Sequence, residues 1–123
     1  MIIGVGTDIV DVERMKKSVE NSAFKEKIFS KHEIAYCESR VNKEESYAAR
    51  FAAKEAFFKA LGTGWRGGMG FDEVEVINDE LGKPELNLIG EAAKTRMERN
   101  IKNIHLSLSH TKTMACATVI LEG

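Results

Sequence analysis

Residues 44–61 constrain the fold more than any other segment. They are rich in alanine, carry Phe51, Phe57, Phe58 and Leu61 at helical spacing, and run into Gly62, where a helix is expected to stop. Asn42, followed three residues later by Glu45, gives this helix a capping-box signature at its start. A helix of this length rules out an all-β chain. Within it, Phe51, Glu55 and Phe58 form an i, i+4, i+7 row with Ala48 and Ala52 alongside, so the Glu55 carboxylate lies in an apolar stripe.

The other segments supply the layer against which such a helix packs. Residues 2–10 read as a short, mostly buried strand. Asp11 caps a first short helix, Asn21 and Ser22 punctuate the chain before residues 24–29, and Ser30 with Glu33 makes a second capping box. Five glycines fall within residues 62–70 (Gly62, Gly64, Gly67, Gly68, Gly70), which marks a loop. Val74 and Val76, then Leu86 and Leu88, alternate as a strand pair around turn chemistry in residues 78–84. Residues 90–100 are helical in character. Ile104, Leu106 and Leu108 alternate with polar residues, and residues 114–121 are an apolar strand, joined to the preceding one by a hairpin turn at 109–113. The order of strand, helices and a mainly β half predicts a single α+β domain over residues 1–123, helices packed on a small, mainly antiparallel sheet.

With 123 residues there is no room for two ordinary domains. A formal net charge of -1 gives no global attraction to nucleic acid or to a membrane surface. No window approaches the ~18 apolar residues of a membrane span, and the opening residues lack a secretory pattern. Cys37 and Cys116 lie far apart without metal-ligand spacing, and they read as buried, reduced thiols of a cytoplasmic protein.

Three features do not fit a purely structural reading. Asp8 ends an apolar strand, where a carboxylate is costly to bury unless it is paired or binds a metal; it reads as a cap for the next helix or as a ligand. Glu55 is open to two readings as well, a helix ion pair with Lys59 or a group held for chemistry. The segment Ser107-Leu108-Ser109-His110-Thr111-Lys112 gathers hydroxyls, an imidazole and an ammonium in one turn, either an ordinary polar hairpin or a set of phosphate donors. Together, two isolated carboxylates, several phosphate donors and a glycine-rich loop suggest a magnesium–phosphate site, because magnesium needs only one or two carboxylates. Zinc-ligand spacing, a GxxxxGK[ST] loop and a GxGxxG strand–helix turn are all missing from the sequence.

Three stretches, in this order, resemble the 4′-phosphopantetheinyl transferase superfamily and within it the short holo-acyl-carrier-protein synthase branch. They are Gly4-Val5-Gly6-Thr7-Asp8-Ile9-Val10-Asp11-Val12-Glu13-Arg14, then Arg50-Phe51-Ala52-Ala53-Lys54-Glu55-Ala56-Phe57-Phe58-Lys59-Ala60-Leu61-Gly62-Thr63-Gly64, then Leu106-Ser107-Leu108-Ser109-His110-Thr111. With Gly82-Lys83-Pro84 they span almost the whole chain.

The resemblance implies a transfer of the 4′-phosphopantetheine arm of coenzyme A to a serine of an apo-acyl-carrier protein, releasing adenosine 3′,5′-bisphosphate. Asp8 and Glu55 would hold Mg2+, with Mn2+ as the alternative ion. Lys59 would meet the pyrophosphate, and Glu55 would take the serine proton directly or through a water. Arg50, His110 and Thr111 would contact the 3′-phosphate, Ser109 would also bind coenzyme A, and Gly62, Gly82, Lys83 and Pro84 would line the adenine and ribose side. Arg14, Phe24 and Lys27 would meet the carrier. Arg50 and Lys59 lie about 180° apart around the helix, which fits the homotrimer with active sites at subunit interfaces that the resemblance implies. The alternatives are the same transfer to a peptide- or polyketide-synthase carrier, a non-catalytic coenzyme A-binding module, and a scaffold whose polar interior serves assembly.

Overall fold

The computed structural model describes residues 1–64 and 68–123; Trp65, Arg66 and Gly67 of the glycine-rich stretch lie outside the described residues. The chain opens with β1 (Ile2–Asp11), followed by α1 (Val12–Val19), α2 (Ser22–Ile28), α3 (Lys31–Glu38) and the long α4 (Lys43–Leu61). A 3-10 turn at Phe71–Glu73 leads into β2 (Val74–Asn78) and β3 (Pro84–Leu88), then α5 (Gly90–Glu98), β4 (Asn103–His110) and β5 (Met114–Glu122). The fold is α+β. One sheet has the order β1-β5-β4 and the other pairs β2 with β3, all antiparallel.

Local signals account for most element ends. Asp11 accepts the Arg14 N–H at 3.0 Å to start α1, and Asn21 accepts that of Phe24 at 3.1 Å to start α2. Ser30 and Glu33 complete a capping box on α3. Gly62 ends α4 with φ +81°, the left-handed conformation that favours glycine. Asn42 begins α4 without a side-chain cap. The capping box expected there does not form, because the Glu45 carboxylate is bonded to His110 instead.

Helix α4 packs on β1 and β5 and is buried on most of its circumference, with Tyr47, Ala48, Ala52, Ala53, Ala56, Phe57 and Phe58 inaccessible. Two apolar clusters meet on it, and Val10, Phe71 and Leu108 pack against both. Among the described residues, no helix is long and apolar enough to cross a membrane.

Strand β1 is not the mostly buried strand its composition predicts: Ile2, Ile3, Val5 and Ile9 are exposed, Val5 at 59% and Ile9 at 65%. The reason lies in its glycines. A Cβ on Gly4 would lie 2.0 Å from the Ala60 carbonyl oxygen, and one on Gly6 would lie 1.9 Å from that of Ala56. The face toward α4 is therefore bare backbone, and the period of two sends the large side chains to the other face. Cys116, opposite Ile9 in the ladder, shares that open face and is exposed rather than buried. Cys37 is buried, and burial pushes its thiol pKa up to about 12.

Candidate active site

The glycine contact positions the first carboxylate. Gly4, Gly6 and Asp8 share the helix-facing side of β1 by strand alternation. Gly4 and Gly6 let the backbone of α4 come into contact, so Asp8, next in that row, meets the helix where Glu55 and Lys59 stand one turn apart. Lys59 Nζ donates to Asp8 Oδ1 at 2.9 Å and to the Thr7 carbonyl at 3.1 Å. The Asp8 side chain keeps 15% exposure and that of Lys59 52%. Burial raises the Glu55 carboxyl above its ordinary range, the Asp8 charge pushes the same way, and Lys59 opposes both.

A cleft of about 400 Å³ lies beside this group, lined by Asp8, Glu55, Arg14, Ser18, Phe24 and Phe51 among others. Expected metal ligands and two of the three expected carrier contacts thus share one opening; Lys27, at the end of α2, does not line it. The site has two carboxylates, one of them raised by burial and then by its like-charged neighbour, and one ammonium. Such a set suits a hard cation that keeps waters and substrate oxygens as its remaining ligands. A group of three or more His, Cys, Asp or Glu side chains able to hold a metal does not occur among the described residues.

The residues expected on the nucleotide side form a separate group. Arg50 is only 4% exposed. Its Nη2 donates to Asn78 Oδ1 at 2.7 Å, and its guanidinium carbon lies 4.1 Å from the Tyr36 ring centroid. Its Nε is buried without a partner. Asn78 in turn donates to the Gly82 carbonyl at 3.0 Å, which ties Arg50 to the Gly82-Lys83-Pro84 turn. Gly82 takes φ +86° there, and Asp79 Oδ1 accepts the Lys83 N–H at 2.9 Å. Lys83 and Pro84 line a different cleft, with Arg96 and His105.

At the end of β4, His110 Nδ1 lies 2.9 Å from Glu45 Oε1. Ser109 is exposed beside it, facing Cys116 across the ladder. Thr111 Oγ1 accepts from the N–H groups of Thr113 and Met114 at 3.3 and 3.2 Å, which fixes the turn. Within one chain, Asp8, Glu55, Lys59, Arg14 and Phe24 come together. Arg50 is tied to the Gly82 turn, His110 and Thr111 stand at the end of β4, and Lys83 with Pro84 line a cleft of their own.

Sequence reasoning passed over one buried cluster. Lys54 and Glu33 are both fully inaccessible and paired at 2.6 Å. Lys54 Nζ also donates to the carbonyls of Phe71 at 2.9 Å and Val74 at 2.8 Å, while Glu33 accepts from the Ser30 and Val76 N–H groups. Burial lowers the proton affinity of the Lys54 ammonium, against the pull of Glu33. The cluster fixes the exit of the glycine-rich stretch to the helix that carries Glu55. The available signal was the Arg50, Lys54, Phe57, Leu61 row, charge inside a second apolar stripe of the same helix.

The model of the 4′-phosphopantetheinyl transferase superfamily matches residues 4–119. A curated relative from Solibacter usitatus, named holo-[acyl-carrier-protein] synthase, is 48% identical over 125 residues and is covered, like this chain, over 100% of its length. The crystal structure of a holo-[acyl-carrier-protein] synthase from Neisseria meningitidis aligns at a TM-score of 0.93 with 36% identity, covering 100% of both chains. A holo-(acyl-carrier-protein) synthase from Bacillus anthracis, solved in complex with CoA (3′,5′-ADP), aligns at 0.81 with 37% identity, over 98% of this chain and 96% of that one.

Proposed function

The chain belongs to the 4′-phosphopantetheinyl transferase superfamily, and we infer from that membership that it transfers the 4′-phosphopantetheine arm of coenzyme A to a serine of an apo-acyl-carrier protein. The observation that carries the reading to particular residues is the cluster of Asp8, Glu55 and Lys59 at a cleft that Arg14 and Phe24 also line.

Asp8 and Glu55 are proposed to hold Mg2+. Two oxygen ligands with open positions match that ion's habit, and a cation between them would offset both the burial of the Glu55 charge and the smaller repulsion from Asp8. When bound, the ion supplies charge neutralisation to the pyrophosphate of coenzyme A. The acceptor serine oxygen forms a bond to the phosphorus that carries the pantetheine arm. The bond from that phosphorus to the adenosine 3′,5′-bisphosphate oxygen breaks, and the bisphosphate leaves with the electron pair. Glu55, with its raised proton affinity, is the group proposed to take the serine proton, directly or through a water. Lys59, half-exposed and one turn along α4, offsets the charge that grows on the departing bisphosphate.

Arg14 faces the acceptor side of the cleft and suits an acidic carrier by charge complementarity, with Phe24 as its apolar neighbour; Lys27 stands further along α2 as a steering charge. Arg50, His110 and Thr111 are proposed for the 3′-phosphate side, Ser109 as a further coenzyme A contact, and Gly62, Gly82, Lys83 and Pro84 for the adenine and ribose. Asp8 with Glu55, His110, and Lys83 with Pro84 line separate clefts of one chain, and Val5 and Ile9 of β1 are exposed. Both facts support a homotrimer whose active sites combine residues from neighbouring subunits. The two apolar clusters share residues across α4, which supports one domain over 1–123. Free thiols at Cys37 and Cys116 suit the reducing cytoplasm.

Intact-mass measurement of an apo-acyl-carrier protein incubated with this chain, coenzyme A and Mg2+ tests the reading. The carrier is expected to gain the mass of one phosphopantetheine, and a chelator is expected to abolish the gain. Full transfer in the presence of chelator removes the metal assignment; no transfer to any carrier, with coenzyme A still bound, reduces the chain to a binding module.

A further inference from the structure

Helix α3 starts with a closed capping box, whereas α4 does not, although its sequence supplies the same parts. Glu45 stands at the third position of α4, where its carboxylate would close the box with Asn42. It reaches across to β4 instead and takes His110 Nδ1 at 2.9 Å. The helix thus forgoes a cap, and the carboxylate it would have used holds one edge of a half-exposed imidazole. The Glu45 side chain is 15% exposed against 49% for His110, so the carboxylate is the anchored partner and the ring is the presented one. His110 Nε2 has no protein partner among the described residues.

The surroundings fit an anion. His110 lines a cleft of about 360 Å³ with Tyr36, Arg40 and Asn42. The Tyr36 ring has the Arg40 guanidinium carbon at 5.4 Å from its centroid and that of Arg50 at 4.1 Å. Arg40 and His110 therefore share the lining of this cleft, while Arg50 is buried against Tyr36 and does not line it. An imidazole bridging two anions must donate from both nitrogens, and it is then the charged form.

We infer that Glu45 is a positioning residue for the 3′-phosphate of coenzyme A: its carboxylate grips His110 through Nδ1 and leaves Nε2–H aimed at the phosphate. This rests on the proposed placement of His110 at that phosphate. Glu45 touches no reacting atom; it acts through the ring, by fixing its orientation and by completing a carboxylate–imidazolium–phosphate series. Glutamine at this position retains a hydrogen-bonding partner for the ring and loses the charge, whereas alanine loses both.

The test compares kcat/KM for coenzyme A with that for dephospho-coenzyme A, which lacks the 3′-phosphate. In Glu45→Gln the preference for coenzyme A is expected to fall about five- to tenfold, through KM rather than kcat, as a charge-assisted contact becomes a neutral one. Glu45→Ala should fall further, and His110→Ala at least as far. The double variant Glu45→Gln/His110→Ala should fall no further than His110→Ala alone, because one residue acts through the other. A merely structural Glu45 would lower both substrates together and leave the ratio unmoved. An unchanged ratio in Glu45→Gln beside a collapsed one in His110→Ala overturns the role of Glu45 alone, as does simple additivity in the double variant. An unchanged ratio in His110→Ala overturns the phosphate placement beneath it, and the Glu45 role falls with it.

Discussion

Glu55 is held in a state that suits chemistry better than it suits the fold. Burial and the neighbouring Asp8 both raise its carboxyl, and a carboxyl raised above its unfolded value favours folding when protonated, a contribution lost as pH rises through the raised value. Glu55→Gln removes that penalty. It is expected to lower transfer by ~100-fold or more, yet to melt slightly higher than the parent at pH 7, with the difference closing below about pH 4, where the carboxyl is protonated in both states. Melting curves at the two pH values check the sign; a variant that melts lower at pH 7 contradicts the argument. Lys54 is the opposite case, a charge that the fold requires. Lys54→Met leaves the Glu33 carboxylate buried with only two backbone donors and is expected to cost about 3–5 kcal/mol in urea unfolding. Asp8 and Glu55 were legible in the sequence because each is a carboxylate among apolar neighbours. Glu33 was not, because its capping box with Ser30 already gave it a full explanation, and nothing local announces a partner 21 residues away. Glu45 misled for the same reason, since the local rule that works for Glu33 loses here to a ring 65 positions along the chain.

At the scale of elements, the β1–α4 contact sets the site. Gly6→Ala would put a methyl group into the Ala56 carbonyl, against backbone that cannot rotate away. It is expected to cost at least the upper end of the roughly 1–3 kcal/mol typical of overpacking. Transfer should be lost along with it, as Asp8 is pushed from Glu55. Gly62→Ala, by contrast, meets open space and is strained only by its positive φ, so its melting temperature should drop less. A Gly6→Ala protein with parental stability and activity would remove the close approach from the account. The strands, the helices and most of their caps could be read from period and punctuation. What could not be read was which face of β1 is covered, because an alternating strand states which residues share a side, and only packing decides which side meets the helix.

For the molecule as a whole, the uncovered face of β1 is the main unsatisfied feature. Val5 and Ile9 project from it with Cys116 alongside and the Thr7–Thr118 pair between them, exposed apolar side chains of the kind that mark an interface. The expected assembly runs at three times the 13.7 kDa chain mass by light scattering. Val5→Glu/Ile9→Glu is expected to run at the single-chain mass and to lose transfer while keeping its helical signal. A parent that runs as a single chain and transfers at full rate would sink the shared-site proposal. The resemblance implied this assembly; composition and spacing alone gave only the hint that Arg50 and Lys59 sit on opposite sides of α4.

The two glycines of β1 have a further consequence, for how the site responds to heat. Where a strand and a helix touch through side chains, their spacing breathes as rotamers hop. Here main chain rests on main chain, so the gap spanned by Asp8 and Glu55 has no rotamers to loosen it. Those amide protons of residues 4–8 that bond to β5 should then exchange with solvent only when the whole molecule opens. The carboxylate pair would keep its spacing up to the melting transition and lose it all at once, so binding of the proposed Mg2+ should be lost together with the fold and not before it.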